Sequence, residues 1–163
     1  MGKIKVVKLG DPDAGILSEN LLESCPADPA EVLKISKKVR KLCRLNRGAG
    51  IAANQMNVRQ AFFFISPTVF KPRKNVFVLN PKLIDLNPTK AVKTEGCLSL
   101  PGRKFEVSRP VAVTAEYQDE HGRPHITRFE GYAAQVFLHE YDHLLGKTLV
   151  ETGKELKDEK ENI

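Results

Sequence analysis

The sequence predicts an α+β domain: one long N-terminal helix and a set of short antiparallel strands and hairpins packed around a central C-terminal helix. Three observations predict it. A helix-start signature at Asp28 opens an amphipathic segment, short β-prone runs fill the middle of the chain, and a mostly apolar helical run extends from Tyr132 to about Leu145. No segment repeats and no low-complexity linker intervenes, so residues 1–150 read as one domain. Residues 151–163, dense in charge, read as a tail that is a solvated helix or a frayed end.

Each element follows from local chemistry. Asp28 is a good N-cap, Pro29 suits the first helical position, and Glu31 completes a capping-box pattern. Val32, Ile35, Val39, Leu42 and Cys43 recur at three- and four-residue steps, and Gly48 and Gly50 stop this helix at about Asn46. Phe62–Ile65 and Val76–Leu79 are short apolar runs bounded by Pro, Asn and Lys, which predicts strands. Val111, Val113, Ala115 and Tyr117 alternate with other residues, and a turn at Asp119–Gly122 leads to a hairpin partner at Ile126–Phe129. The final helix carries Ala133, Ala134, Val136, Phe137, Leu144 and Leu145, with Gly146 where a C-terminal cap belongs. Being apolar over much of its surface, it must be largely buried, so its polar residues need a reason.

Composition removes several classes. Hydrophobic residues make up 41% and charged residues 28%, as in an ordinary globular chain. The longest apolar stretches, Ala61–Ile65 and Val76–Leu79, fall far short of the roughly 20 residues a membrane span needs. Met1–Lys5 has no apolar run after it, so no signal peptide is expected, and Val6 stands where a myristoylation motif wants Ser or Thr. Three widely spaced cysteines, Cys25, Cys43 and Cys97, argue against a disulfide framework and for a reducing compartment. The expectation is a cytoplasmic monomer, or an organellar one if a transit peptide has been removed. The net charge of +6 is spread over short clusters, Lys37–Lys41 and Lys71–Lys74, with no aromatic platform interleaved in the first. These read as a solvated helix face and a loop, not as a sequence-specific nucleic-acid surface.

The final helix holds His139-Glu140-Tyr141-Asp142-His143. Residues four apart on a helix lie about 40° from each other, so the two histidines share a face and can hold one metal ion. Glu140 is adjacent and can act as general base toward water. A third ligand is required. A downstream histidine is excluded because that position is Leu149, and the downstream glutamates sit in a short tail. Upstream, Glu95-Gly96-Cys97-Leu98-Ser99 precedes Pro101-Gly102, which places Cys97 in or beside a turn. Its thiolate is a strong ligand for zinc or ferrous iron. With His139 and His143 it makes a three-ligand set with an open fourth position, the pattern of a catalytic metal. A third segment, Gly48-Ala49-Gly50-Ile51-Ala52-Ala53-Asn54-Gln55, combines glycines that permit close backbone approach with an amide, Gln55, able to face an oxyanion.

Together these three segments resemble peptide deformylase. Gly48–Gln55 matches that family's first motif, Glu95–Ser99 its second, Glu-Gly-Cys-Leu-Ser, and His139–Leu144 with Gly146 its third. Order and spacing also fit, over roughly residues 5–150. Two departures stand out: Leu138 occupies the position before the first histidine where the family usually has glutamine, and only seventeen residues follow Gly146. From the second departure the long C-terminal helix of many bacterial members is expected to be shortened or missing, and any contact with the ribosome surface is expected to be weak.

The resemblance implies hydrolytic removal of the N-formyl group from the initiator methionine of nascent polypeptides, releasing formate. It implies one divalent metal on Cys97, His139 and His143, ferrous iron in the cell, with zinc, nickel or cobalt as substitutes. Glu140 would take the water proton and pass it to the departing amine. The Gln55 side chain and the Leu98 backbone N–H would join the metal in holding the tetrahedral oxyanion, each worth roughly 3 kcal/mol. Backbone at Ala49, Gly50 and Gly96 would hold the peptide extended, and Val136 and Tyr132 would wall the methionine pocket. Two rivals stand beside this reading, a zinc endopeptidase using the same helix and a silent basic module that binds ribosomal RNA.

Overall fold

The computed structural model describes residues 4–157. After a short helical turn, α1 (Leu21–Ser24), comes the predicted long helix α2 (Pro29–Leu45). The strands are β1 (Gly50–Ala52), β2 (Phe62–Ile65), β3 (Val76–Leu86), β4 (Lys90–Cys97), β5 (Leu100–Pro110), β6 (Ala112–Gln118) and β7 (Pro124–Glu130). Helix α3 (Tyr132–Leu144) follows, then a single turn α4 (Leu149–Thr152) and a two-residue strand β8 (Lys154–Glu155). The α+β architecture is the one expected.

Two antiparallel sheets frame the molecule, one in the order β1-β2-β3-β6-β7 and one in the order β4-β5-β8. Helix α3 lies between them, touching β1, β2, β6 and β7 of the first and β5 of the second. Phe137 seats it, edge-on to Phe63 of β2 at 5.1 Å and tilted against Phe129 of β7 at 4.7 Å. All four residues of β2 are buried, which is why that strand reads as a continuous apolar run and not as an alternating one. Helix α2 buries Val32, Ile35, Val39 and Cys43 in the same core. Among the described residues no helix is long and apolar enough to cross a membrane.

Several local expectations are corrected. Asp28 does cap α2, accepting from the Ala30 N–H at 2.9 Å, but Glu31 pairs with Lys34 at 2.6 Å and no capping box forms there. The strand predicted to end at Leu79 runs on to Leu86 through a register shift between Leu79 and Lys82. Asn80, at φ +52°, makes that irregularity possible: its side chain accepts from Ala27 N–H at 2.7 Å and donates to Ala27 C=O at 3.0 Å. The β4–β5 hairpin has no counterpart among the predicted strands, because most of β4 is exposed and it shows little apolar periodicity. Of the tail expected to be a solvated helix or a frayed end, Glu151 and Thr152 complete the turn α4. Glu155 and Lys154 pair with Phe105 and Glu106 of β5, and residues 158–163 of the predicted tail lie outside the described part.

The end of α3 matches its sequence signature. Leu145 caps it, Gly146 takes φ +77°, and the N–H groups of Gly146 and Lys147 bond to the carbonyls of His143 and Asp142. A Cβ on Gly146 would also lie 2.6 Å from the Ser18 carbonyl oxygen, so only glycine fits.

Candidate active site

Three pieces of chain meet at one cleft of about 660 Å³. The first is β1 with the 3-10 turn Ala53–Met56, the second the tight turn joining β4 to β5, and the third the middle of α3. Their ligand-type atoms converge: the Sγ of Cys97 and a ring nitrogen each of His139 and His143 all lie within 4.8 Å of one another. Cys97 Sγ is 3.3 Å from His143 Nε2, close to the roughly 3.5 Å that separates sulfur and nitrogen in a tetrahedral zinc site. The two rings stand 5.1 Å apart at 71°, as one helical turn of separation dictates.

The surroundings prepare these groups for a cation. Nδ1 of His139 is 2.9 Å from Glu95 Oε2, which turns the other ring nitrogen toward Cys97. Glu95 in turn receives two hydrogen bonds from Arg109, at 2.6 and 2.9 Å, and Arg109 also donates to Asp142 at 2.9 Å. Burial opposes ionisation of Glu95, but the bonds from His139 and Arg109 outweigh it and hold the carboxyl at about 2. Burial also works against the Cys97 thiolate, yet the His143 charge and the bonds from both histidines carry its pKa well below the ordinary thiol value. His139 moves the other way: burial would lower it, while Cys97 and Glu95 raise it well above the usual imidazole range. A thiolate between two imidazoles that are oriented by a carboxylate fits a divalent metal in donor type and number.

Glu140 sits beside this set and is 3% exposed. Burial pushes its carboxyl up to about 7, against the pull of the two histidines. Its Oε2 has no hydrogen-bond partner among the described residues, and neither has Nδ1 of His143. A buried carboxylate oxygen left open beside a metal-type ligand set is a group placed to exchange a proton with something that enters the cleft.

Gln55 is buried and fixed at both ends of its amide. Its oxygen accepts from Ala52 N–H at 3.0 Å, which directs Nε2 toward Cys97 Sγ at 3.4 Å and Ser99 Oγ at 3.1 Å. Leu98 lies in the turn after Cys97 and lines the cleft. So do Ala49, Gly50, Gly96, Val136 and Tyr132; Val136 is buried and Tyr132 exposed at the rim. At the start of β1 the two predicted backbone contacts, Ala49 just before the strand and Gly50 its first residue, are not equivalent. The Ala49 carbonyl is taken by Ser66 N–H at 2.8 Å, so in the antiparallel alternation Gly50 turns its backbone groups to the free edge. Strands β1 and β4 are both outer strands of their sheets, and both line the cleft.

Sequence reasoning missed Arg109, Ser99 and Asn54. Asn54 donates to the His143 carbonyl and so ties the first segment to α3. Arg109 alternates with Phe105 and Val107 on the inward face of β5, a period-two signal that an assigned strand would have exposed. Cys43, by contrast, is an ordinary buried thiol: its Sγ faces the Gly48 carbonyl at 3.2 Å, and burial pushes its pKa up to about 12.

The sequence model of the polypeptide deformylase family matches residues 3–159. The peptide deformylase of Rickettsia typhi is 36% identical over 116 residues, 68% of this chain and 66% of its own length, so the matched stretch spans just under two thirds of that relative. The Leptospira biflexa peptide deformylase is 31% identical over 160 residues, 94% of this chain and 89% of that one. The crystal structure of peptide deformylase from Thermotoga maritima superposes with a TM-score of 0.80 at 30% identity, covering 93% of this chain and 98% of that one.

Proposed function

The chain belongs to the polypeptide deformylase family, and from that premise we propose that it hydrolyses the N-formyl group of formylmethionyl nascent peptides, releasing formate. The observation that carries this reading is the convergence of Cys97, His139 and His143 beside the buried carboxylate of Glu140, whose Oε2 has no partner among the described residues, in a cleft bordered by two strand edges.

The free edges of β1 and β4 suit an extended peptide, which can pair its backbone on either side. Gly50 turns its backbone groups to the β1 edge, and Gly96 lines the same cleft. The methionine side chain lies against Val136 and Tyr132. Cys97, His139 and His143 would hold the metal, ferrous iron natively with zinc, nickel or cobalt as substitutes. When bound, such an ion supplies Lewis acidity, lowering the pKa of water from 15.7 to about 7 and polarising the formyl carbonyl. Glu140 removes the proton as the water oxygen bonds to the formyl carbon. Gln55 Nε2 and the Leu98 backbone N–H donate to the oxygen that gains charge; Gln55 must give up one of its present bonds, to Cys97 or Ser99, to do so. As the carbon–nitrogen bond breaks, Glu140 returns the proton to the leaving amine, and formate and a free amino terminus depart.

Coupled formate detection on formyl-Met-Ala, with metal analysis of the same sample, tests this. Formate release by protein carrying about one metal per chain is expected. Cleavage of internal peptide bonds without preference for a formylated terminus would sink the proposal in favour of an endopeptidase.

A further inference from the structure

The cleft walls are electrically one-sided. Lys8, Arg47, Arg103 and Lys104 line it, whereas its two carboxylates, Glu95 and Glu140, are buried inside. Glu95 is matched by Arg109 and His139. Arg103 is held in a two-pronged pair by Glu155, at 2.7 and 2.8 Å. The other three cations are exposed, and among the described residues none has a carboxylate within 4.0 Å. They come from three unrelated segments. Lys8 lies between Val7, bonded to the Gln55 carbonyl, and Leu9, bonded to the Ser99 carbonyl. Arg47 follows α2 and directly precedes Gly48. Lys104 on β5 reaches back so that its Nζ would be 2.9 Å from a Cβ on Gly96, one residue from Cys97.

We propose that this cationic rim makes the enzyme select formylated peptides that carry an acidic side chain within the first few residues after the methionine. The inference rests on the deformylase reading of the cleft and adds a substrate preference to it. An extended peptide advances about 3.3 Å per residue, so a chain whose formyl group lies at Cys97 passes Lys104 and Arg47 within two or three residues. A cleft lined by one sign of charge focuses its field and concentrates ligands of the opposite sign. Lysine or arginine at those positions meets like charge, and among the described residues the cleft's carboxylates, Glu95 and Glu140, are buried and do not offset it.

The test uses formyl-Met-Ala-Xaa peptides with amidated C-termini, where Xaa is Glu, Gln or Lys. At low salt the Glu peptide should exceed the Lys peptide in kcat/KM by about tenfold, the difference lying in KM because rim contacts bind ground and transition states alike. At about 1 M salt, where the screening length is about 3 Å, the ratio should shrink to about twofold. Joint replacement Arg47→Gln and Lys104→Gln, both on the surface, should flatten it at every salt concentration. Equal rates for Glu and Lys peptides, or a preference indifferent to salt and to these replacements, overturns the proposal. Calorimetric binding of the unformylated Met-Ala-Glu and Met-Ala-Lys amides to the same protein gives the charge preference without chemistry. Absence of formate release with Glu-peptide binding tighter refutes the deformylase reading and leaves the rim preference standing; equal or reversed binding refutes the rim.

Discussion

Gly50→Ala puts the smallest side chain at the most crowded point of the site. The new Cβ would lie 2.8 Å from Glu140 Oε1, 2.9 Å from Glu140 Cγ and 2.9 Å from the Phe64 carbonyl oxygen. Carbon–oxygen contacts ordinarily stop at about 3.3 Å, so something must retreat by about half an ångström. The Phe64 carbonyl belongs to β2, which is paired on both sides by β1 and β3 and cannot yield easily. Glu140, with one carboxylate oxygen unpartnered, is the softer neighbour. Displacing a reacting group by 1 Å costs about a hundredfold, so a shift of half that size should lower kcat about tenfold. Overpacking of this kind also costs about 1–3 kcal/mol of stability. Metal content should stay the same, because the atoms nearest the new Cβ belong to Glu140 and Phe64 and not to Cys97, His139 or His143. Steady-state formate release and thermal melting, with Gly15→Ala as the comparison, measure both effects; a Cβ on Gly15 meets nothing within 4 Å. If Gly50→Ala matches Gly15→Ala in kcat and melting temperature, the claim that glycine here makes room for Glu140 is wrong.

Other expectations follow from the same cluster. Glu140→Gln should lose formate release by several orders of magnitude while stabilising the metal-free protein. A carboxyl raised from 4.5 to about 7 by burial favours folding below pH 4.5 and loses that contribution as pH rises through about 7. The variant should therefore exceed the parent by up to about 3 kcal/mol near pH 8 and match it near pH 4 in urea titrations; an equal difference at both pH values contradicts this. Cys97→Ala should abolish stoichiometric metal in the purified protein, and retention of one metal per chain would remove Cys97 from the ligand set. Arg109→Met leaves Glu95 buried with only His139 beside it, so unfolding should be easier by about 3–5 kcal/mol, and a loss below about 1 kcal/mol would show that the ion cluster is not needed for stability.

Much of the candidate site was legible in the chain because its chemistry is local. The histidines are four apart on a helix and Glu140 is adjacent, and helical geometry alone brings them to one face. Cys97 could be placed in a turn from its Gly and Pro neighbours. What could not be read was the environment that tunes them. The β4–β5 hairpin hid its strands behind exposed residues, and with it went the partnership of Glu95, Arg109 and Asp142, whose members lie 14 and 33 residues apart.

Sequence by itself determined the elements whose signals repeat at short range: α2 and α3, the buried run of β2, the hairpin of β6 and β7, and the ligand types on offer. Only the tertiary structure decided which carboxylate is held ionised at about 2 by Arg109 and which is pushed to about 7 by burial. It also decided that Gly50 and not Ala49 turns its backbone to the open edge, and that three cations from distant segments share one rim. Hydrophobic periodicity and capping act over a few residues and leave a trace in order and spacing. Burial, field and contact between strands depend on what folds back from elsewhere, and no local pattern records them.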